Sequence, residues 1–141
     1  GFSRACGALE LEIPDAYIRE GVYHDPDRCA ELTRELLRLP EPPTCILMPD
    51  DFSSIGGRNA IHRMDLRLPE DISVAGYDGI QIASVMSPAL TTYRQDTQAL
   101  GRTAAAKLIE LIEKPRTALV DRVLIPGHLV EGASVRAIET L

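Results

Sequence analysis

Two short apolar runs, each leading into acidic residues, constrain this chain more than any other feature. Residues 44–48 (TCILM) pass through Pro49 into Asp50 and Asp51, and residues 72–76 (ISVAG) pass through Tyr77 into Asp78. Runs that are apolar at nearly every position belong to strands buried on both faces, which is the condition of parallel sheets. Parallel strands need a crossover of about a dozen residues or more, and the stretch between the two runs has helical character. Asp51 or Ser53 is placed to cap that helix, which reaches to about residue 64. Asp65 follows as its C-terminal cap residue, because Asp enters the left-handed conformation more readily than a branched residue does. The fold class that follows is α/β, an open, mainly parallel sheet flanked by helices.

The remaining pattern fits this frame. Residues 2–10 read as a helix broken by Pro14, and residues 17–22 as a strand ending near Tyr23 and His24. Asp25 and Pro26 are a helix start, an acceptor followed by a preset φ. Cys29, Leu32, Leu36 and Leu39 then fall on one face before Pro40. Residues 79–85 suggest a short helix and residues 90–94 (LTTYR) a strand. Asp96 or Thr97 caps a long helix to Glu113, with Leu100, Ala104, Leu108 and Leu111 as its buried face. Strands at residues 122–125 and 128–133 complete the chain.

Composition narrows the classes of function. The 141 residues carry a formal charge of −6, which argues against nucleic-acid binding by this surface. No apolar run approaches the roughly 20 residues that span a bilayer, so a membrane protein is not expected. Cys6, Cys29 and Cys45 form no CxxC pair and read as small buried hydrophobes, reduced as in a cytoplasmic protein. The chain has no GxSxG, GxxxxGK[ST] or GxGxxG motif, and His24, His62 and His128 lack metal-ligand spacing. No enzyme, cofactor or metal site is therefore expected. Gly56-Gly57 falls inside a helix, where paired glycines allow close packing.

Open α/β sheets bind ligands beyond the carboxyl ends of their strands. Asp50 and Asp78 lie at two such ends, where carboxylates accept hydrogen bonds from vicinal hydroxyls. If Asp51 serves as the cap, Asp50 is the one freed for the cleft. Tyr23, beside the same cleft, offers either a ring to stack on a ligand or a partly buried core tyrosine.

The blocks LPEDISVAGYD (68–78) and SPALTTYRQD (87–96), preceded by Asp50-Asp51 and a Gly-bearing helix, resemble the LacI/GalR family of bacterial transcription regulators. Ala99-Leu100-Gly101 matches the family's Gly-bearing start to a long helix. The resemblance runs from about Gly1 to Val135. It implies a periplasmic-binding-protein-like effector domain of two lobes, of which residues 1–95 would be the C-terminal lobe. Residues 96–126 would cross into the N-terminal lobe, and residues 127–141 would hold the return strand and tail. A helix-turn-helix headpiece and the family's ligand-binding Arg would lie upstream, outside this sequence. Exposed lobe surface would then favour aggregation or dimerisation.

Carried over by position, the resemblance makes Asp78 the acid that grips the effector and Tyr23 the stacking aromatic. Asp50, Gln95 and Thr97 complete the implied ligand set. Phe52, Ile55, Gly79, Ile82 and Met86 fall at the family's dimer contacts. The implied partners are a sugar or nucleoside-like effector, a second copy of the chain, and operator DNA through the headpiece, with a cytoplasmic location. The alternative of the same fold is a periplasmic sugar-binding protein. Three departures stand out: Asp50 replaces a commonly neutral residue, Asp65 replaces Gly, and Gly132 replaces Arg.

Overall fold

The computed structural model describes residues 1–117 and 121–137. Helix α1 spans Phe2–Ala8 and buries Cys6. In α2 (Pro26–Leu37), Asp25 accepts from the Arg28 N–H at 2.9 Å, so the helix begins where the acceptor and the proline coincide. Its buried face is Cys29, Leu32, Thr33 and Leu36, the three-and-four spacing of an amphipathic helix. Strand β1 (Cys45–Leu47) and helix α3 (Asp51–His62) follow. Asp65 adopts φ 58°, and the Leu66 N–H reaches back to the Ile61 carbonyl at 3.3 Å, closing α3 in the left-handed manner expected.

Strand β2 (Ser73–Asp78) is parallel to β1 and to β3 (Thr91–Arg94), with the short α4 (Gln81–Val85) between β2 and β3. After α5 (Thr97–Glu113), β4 (His128–Val130) adds antiparallel to β3, and the sheet order is β1-β2-β3-β4. The expected open, mainly parallel α/β sheet is therefore present. Helices α2 and α3 cover one face, where Ile46, Val74 and Leu90 meet Cys29, Leu36, Ile61 and Ile72. On the other face Leu47, Tyr77, Tyr93 and Leu129 are exposed. Tyr77 and Tyr93, register partners on β2 and β3, stack there with centroids 5.7 Å apart.

Several expectations are corrected. Residues 17–22 do not form a strand: a 3-10 turn occupies Asp15–Tyr17, and the extended chain beyond it joins no ladder among the described residues. The Arg19 guanidinium instead bonds the Ala16 and Ile18 carbonyls at 2.8 and 2.9 Å. Residues 122–125 join no strand among the described residues, and β4 stops at Val130. Beyond it the chain is held by two backbone bonds, from the Ala133 N–H to the Ala89 carbonyl and from the Val74 N–H to the Ser134 carbonyl, both at 2.8 Å, and by side-chain ties. Gly132 N–H donates to Thr91 Oγ1, and buried Ser134 Oγ donates to the Val74 carbonyl at 2.6 Å while accepting from the Thr91 N–H. A Cβ at Gly132 would overlap the Ala89–Leu90 backbone, so this path admits no Arg there. The expected buried face of α5 is not buried: the helix has no buried residue, and Leu100 and Leu108 are exposed. Cys45 is exposed on the edge strand, whereas Cys6 and Cys29 are buried.

The glycine pair behaves as expected. A Cβ at Gly56 would overlap the Pro26 carbonyl, and one at Gly57 would press on Met48 and Thr33. Gly101 in α5 faces open space. Gly56→Ala should cost about 1–3 kcal/mol by forcing α2 and α3 apart, whereas Gly101→Ala should gain about 0.5–1 kcal/mol from helix propensity. Urea unfolding of the two variants checks the contrast in sign.

Candidate functional site

The Pro49–Asp51 corner decides what stands at the end of β1. Asp50, not Asp51 or Ser53, caps α3: its Oδ1 accepts from the Ser53 N–H at 2.7 Å. Its Oδ2 accepts from Ser53 Oγ at 2.6 Å and from the His24 N–H at 3.1 Å. Burial acts to raise the Asp50 pKa, but the bonds from Ser53 and His24 outweigh it and hold the carboxyl below its ordinary value. Asp50 is fully buried and faces inward, so it fixes the backbone at His24 and does not project into a cleft.

Asp51, one residue later, is equally buried and ties three elements. Its Oδ1 accepts from Thr92 Oγ1 at 2.6 Å on β3, and its Oδ2 from the Ile80 N–H at 2.9 Å before α4. A Cβ at Gly76 would collide with this carboxylate, so β2 passes beside Asp51 only as glycine. The bond to Ile80 anchors the turn that follows Asp78.

Asp78 ends β2 with φ 103°, a conformation that turns its side chain out of the strand's run, and Gly79 continues at φ 69°. Gly79 lies so tightly against Arg94 that a side chain there would collide with it. The Asp78 carboxylate collects two neutral donors: Tyr23 Oη on Oδ2 at 2.5 Å, and Gln95 Nε2 on Oδ1 at 2.6 Å. The Gln95 N–H also donates to the Asp78 carbonyl at 3.2 Å, so β2 and the residue after β3 meet at this point. The hydrogen bond to Asp78, with smaller contributions from desolvation and the nearby carboxylates, pushes the Tyr23 pKa up to about 12. Tyr23 stays a neutral donor at physiological pH.

Tyr23 is 58% exposed and stacks on His24 with centroids 4.3 Å apart. His24 in turn tilts against Phe52 at 5.5 Å. The structure thus brings Tyr23, Asp78 and Gln95 together, sets Asp50 beneath them, and adds His24 and Phe52 as an aromatic row. The sequence pattern assigns His24 no role in this row and does not reveal Thr92 as the partner of Asp51. No spacing rule links residues 41 positions apart, although a Thr in a strand beside a buried acid is a usable signal. Thr97 is exposed at the start of α5 and makes no side-chain hydrogen bond among the described residues. Of the residues at the family's dimer positions, Phe52 and Ile82 are exposed, Ile55 is half-buried, and Met86 packs partly against the core. Among the described residues no group of three or more His, Cys, Asp or Glu is placed to hold a metal, and no helix is long and apolar enough to cross a membrane.

A family model for periplasmic binding protein-like domains matches residues 1–135. The chain belongs to this family. A curated relative, the probable HTH-type transcriptional repressor ExuR of Bacillus subtilis (strain 168), is 32% identical over 140 residues, covering 99% of this chain and 41% of the relative. Among solved structures, a putative LacI transcriptional regulator from Bacillus cereus subsp. cytotoxis superposes with a TM-score of 0.91 at 24% identity, over 99% of this chain and 49% of that one. The lac repressor dimer bound to operator and the anti-inducer ONPF superposes with a TM-score of 0.85 at 30% identity, over 97% of this chain and 46% of that one. The chain thus spans about two fifths of the curated relative. The LacI-family resemblance carried by PEDISVAGYD and SPALTT is borne out.

The Asp50 cap gives a pH signature. Folding holds its pKa below the ordinary 3.8, so the carboxylate stabilises the fold above about pH 4, and that contribution is lost as pH falls through the lowered value. Asp50→Asn should lower stability at pH 7 by about 1–2 kcal/mol and flatten the loss between pH 6 and pH 3. Urea midpoints across that range test it; parallel slopes for the two proteins would contradict the assignment.

Proposed function

We propose that this chain is the effector-sensing part of a LacI-family transcriptional repressor, with Asp78 as the acid that grips a sugar or nucleoside-like effector. The observation that carries the reading is the Asp78 cluster itself. A carboxyl acceptor stands at the carboxyl end of a parallel strand, held by two donors and flanked by an exposed aromatic ring. Vicinal hydroxyls can replace the Tyr23 and Gln95 hydrogens on the same two oxygens, while the Tyr23 ring supplies an apolar face for stacking. Asp50 acts one step back, through His24, and Thr97 reaches the ligand only from the far side of the cleft.

The domain reading is part of the proposal. Residues 1–95 form the C-terminal lobe, residues 96–126 belong to the N-terminal lobe, and residues 127–141 return with the tail. The wholly unburied α5 supports this, because an amphipathic helix without a partner expects a second lobe. Closure of two lobes on the effector would alter a homodimer built on Phe52, Ile55, Gly79, Ile82 and Met86. That change would pass to operator DNA through a helix-turn-helix headpiece, in the cytoplasm. A coupling of about 1–3 kcal/mol changes operator affinity some 5–150-fold. That the curated relative is a repressor favours this reading over a periplasmic sugar-binding protein, and favours binding over catalysis.

The test is calorimetry on the full-length protein, after a thermal-shift panel of pentoses, hexoses and nucleosides has identified a ligand. Asp78→Ala should weaken binding of that ligand by about 10–100-fold through loss of charge-assisted bonds, and Tyr23→Phe by less. Unchanged affinity in Asp78→Ala would overturn the assignment.

A further inference from the structure

His24 stands beside Asp78 in a conformation that its neighbours impose. It is a non-glycine residue at φ 58°, in the left-handed region where strained residues gather at functional sites. Two bonds to the start of α3 hold its backbone there. Its own N–H donates to Asp50 Oδ2 at 3.1 Å, and the following N–H, of Asp25, donates to Ser53 Oγ at 3.0 Å. The ring is thereby delivered to one place. Its centroid lies 4.3 Å from that of Tyr23 at an interplanar angle of 15°, and Phe52 meets it at 5.5 Å. Both distances fall within the roughly 6 Å over which a cation attracts an aromatic ring.

The surroundings of this ring are acidic. Asp25 stands at the start of α2, Asp50 and Asp51 at the start of α3, and Asp78 at the end of β2. None of these four forms an ion pair among the described residues. Cations on the adjoining elements are engaged elsewhere: Arg28 of α2 with Glu31 at 2.9 Å, Arg58 of α3 with the Pro88 carbonyl at 2.9 Å, and Arg94 of β3 with the Gly79 carbonyl at 3.1 Å. Tyr23, the remaining titratable neighbour, donates to Asp78. His24 itself is exposed, and its ring nitrogens make no hydrogen bond among the described residues. Histidine is the side chain whose ordinary charge change falls between about pH 5 and 8. A proton on His24 therefore adds a cation among acids and aromatic faces. Stacked on Tyr23, that cation draws density from the ring and makes the phenol a stronger donor to Asp78.

We propose that His24 is a positioning residue that clamps Tyr23 onto Asp78, and that its protonation tightens the clamp, so that effector binding weakens as pH falls from 7.5 to 5.5. The effector half of this rests on the reading of Asp78 as the effector's acceptor. An effector hydroxyl must take the place of Tyr23 Oη on Asp78 Oδ2, and the imidazolium opposes that exchange from the far face of the ring. With His24 neutral, only an uncharged stack holds Tyr23 back. The clamp half needs no effector, because it concerns three side chains already in contact.

Two measurements on the full-length protein separate the clamp from the effector reading. The first is made without effector. Ring resonances of ¹³C-labelled tyrosine and histidine, assigned by substitution, are followed from pH 5 to pH 8. The Tyr23 Cζ signal should step with the midpoint of the His24 ring proton. The step should vanish in His24→Phe, which keeps a ring against Tyr23 and removes the charge. A Tyr23 signal that does not step, or that steps equally in His24→Phe, would overturn the proposal. The second is calorimetry with the neutral pentose, hexose or nucleoside that the thermal-shift panel identifies. Between pH 7.5 and pH 5.5 the unsubstituted protein should lose about 2–5-fold more affinity than His24→Phe, as an exposed cation–π contact implies. Equal losses in the two proteins, with Asp78→Ala still weakening binding, would overturn the pH link. Unchanged affinity in Asp78→Ala is instead the failure of the effector reading, and the first measurement then decides the clamp by itself.

Discussion

The buried carboxylate of Asp51 holds the site end of the molecule together. It sits in the first turn of α3 and accepts from Thr92 on β3 and from the Ile80 N–H beyond β2. Three elements far apart in sequence therefore share one acceptor group that cannot reach water. Removing it would leave two donors unpaired, at about 1–3 kcal/mol for each. Gly76 is the sequence's accommodation to this arrangement, since any side chain there would occupy the carboxylate's space. Asp78 stands two residues beyond Gly76, half-buried, and the turn that Asp51 anchors at Ile80 follows it directly.

The two neighbouring acids show how one residue type serves opposite ends. Asp50 and Asp51 are fully buried with their oxygens turned to protein donors, while Asp78 presents its oxygens at the surface to groups that are themselves partly exposed. What separates them is what surrounds each. The first two lie at a helix start, beneath α2 and the sheet, where a carboxylate must be fully bonded to persist. The third lies past a strand end at positive φ, where the chain leaves the core.

The sheet core was legible in the sequence because its signals are local. TCILM and ISVAG announce buried strands, Asp25-Pro26 a helix start, and Asp65 a left-handed stop. The mistakes share one cause, the absence of a partner. Residues 17–22 have strand composition, but a strand exists only where a neighbour accepts its hydrogen bonds. The α5 stripe of Leu100 and Leu108 is amphipathic, but burial needs a surface opposite. The cap of α3 falls on Asp50 rather than on Asp51 or Ser53, a difference of one residue, and both acids are buried and bonded to protein donors. Asp78 and Tyr23 came from the strand-end rule and the family resemblance together, whereas their meeting with Gln95 depends on tertiary register.

The chain leaves the sheet after Arg94 and re-enters it at His128, and these two residues are register partners in the β3–β4 ladder. The Gly127 N–H is fastened to Tyr93 Oη at 2.9 Å just beside them. Exit and entry are thus one strand spacing apart. Gln95 is the first residue past β3, and it holds Asp78 by both its amide side chain and its backbone N–H. The chain therefore departs from the sheet at a residue that is itself bonded to the candidate site, so the exit and the site share one side chain.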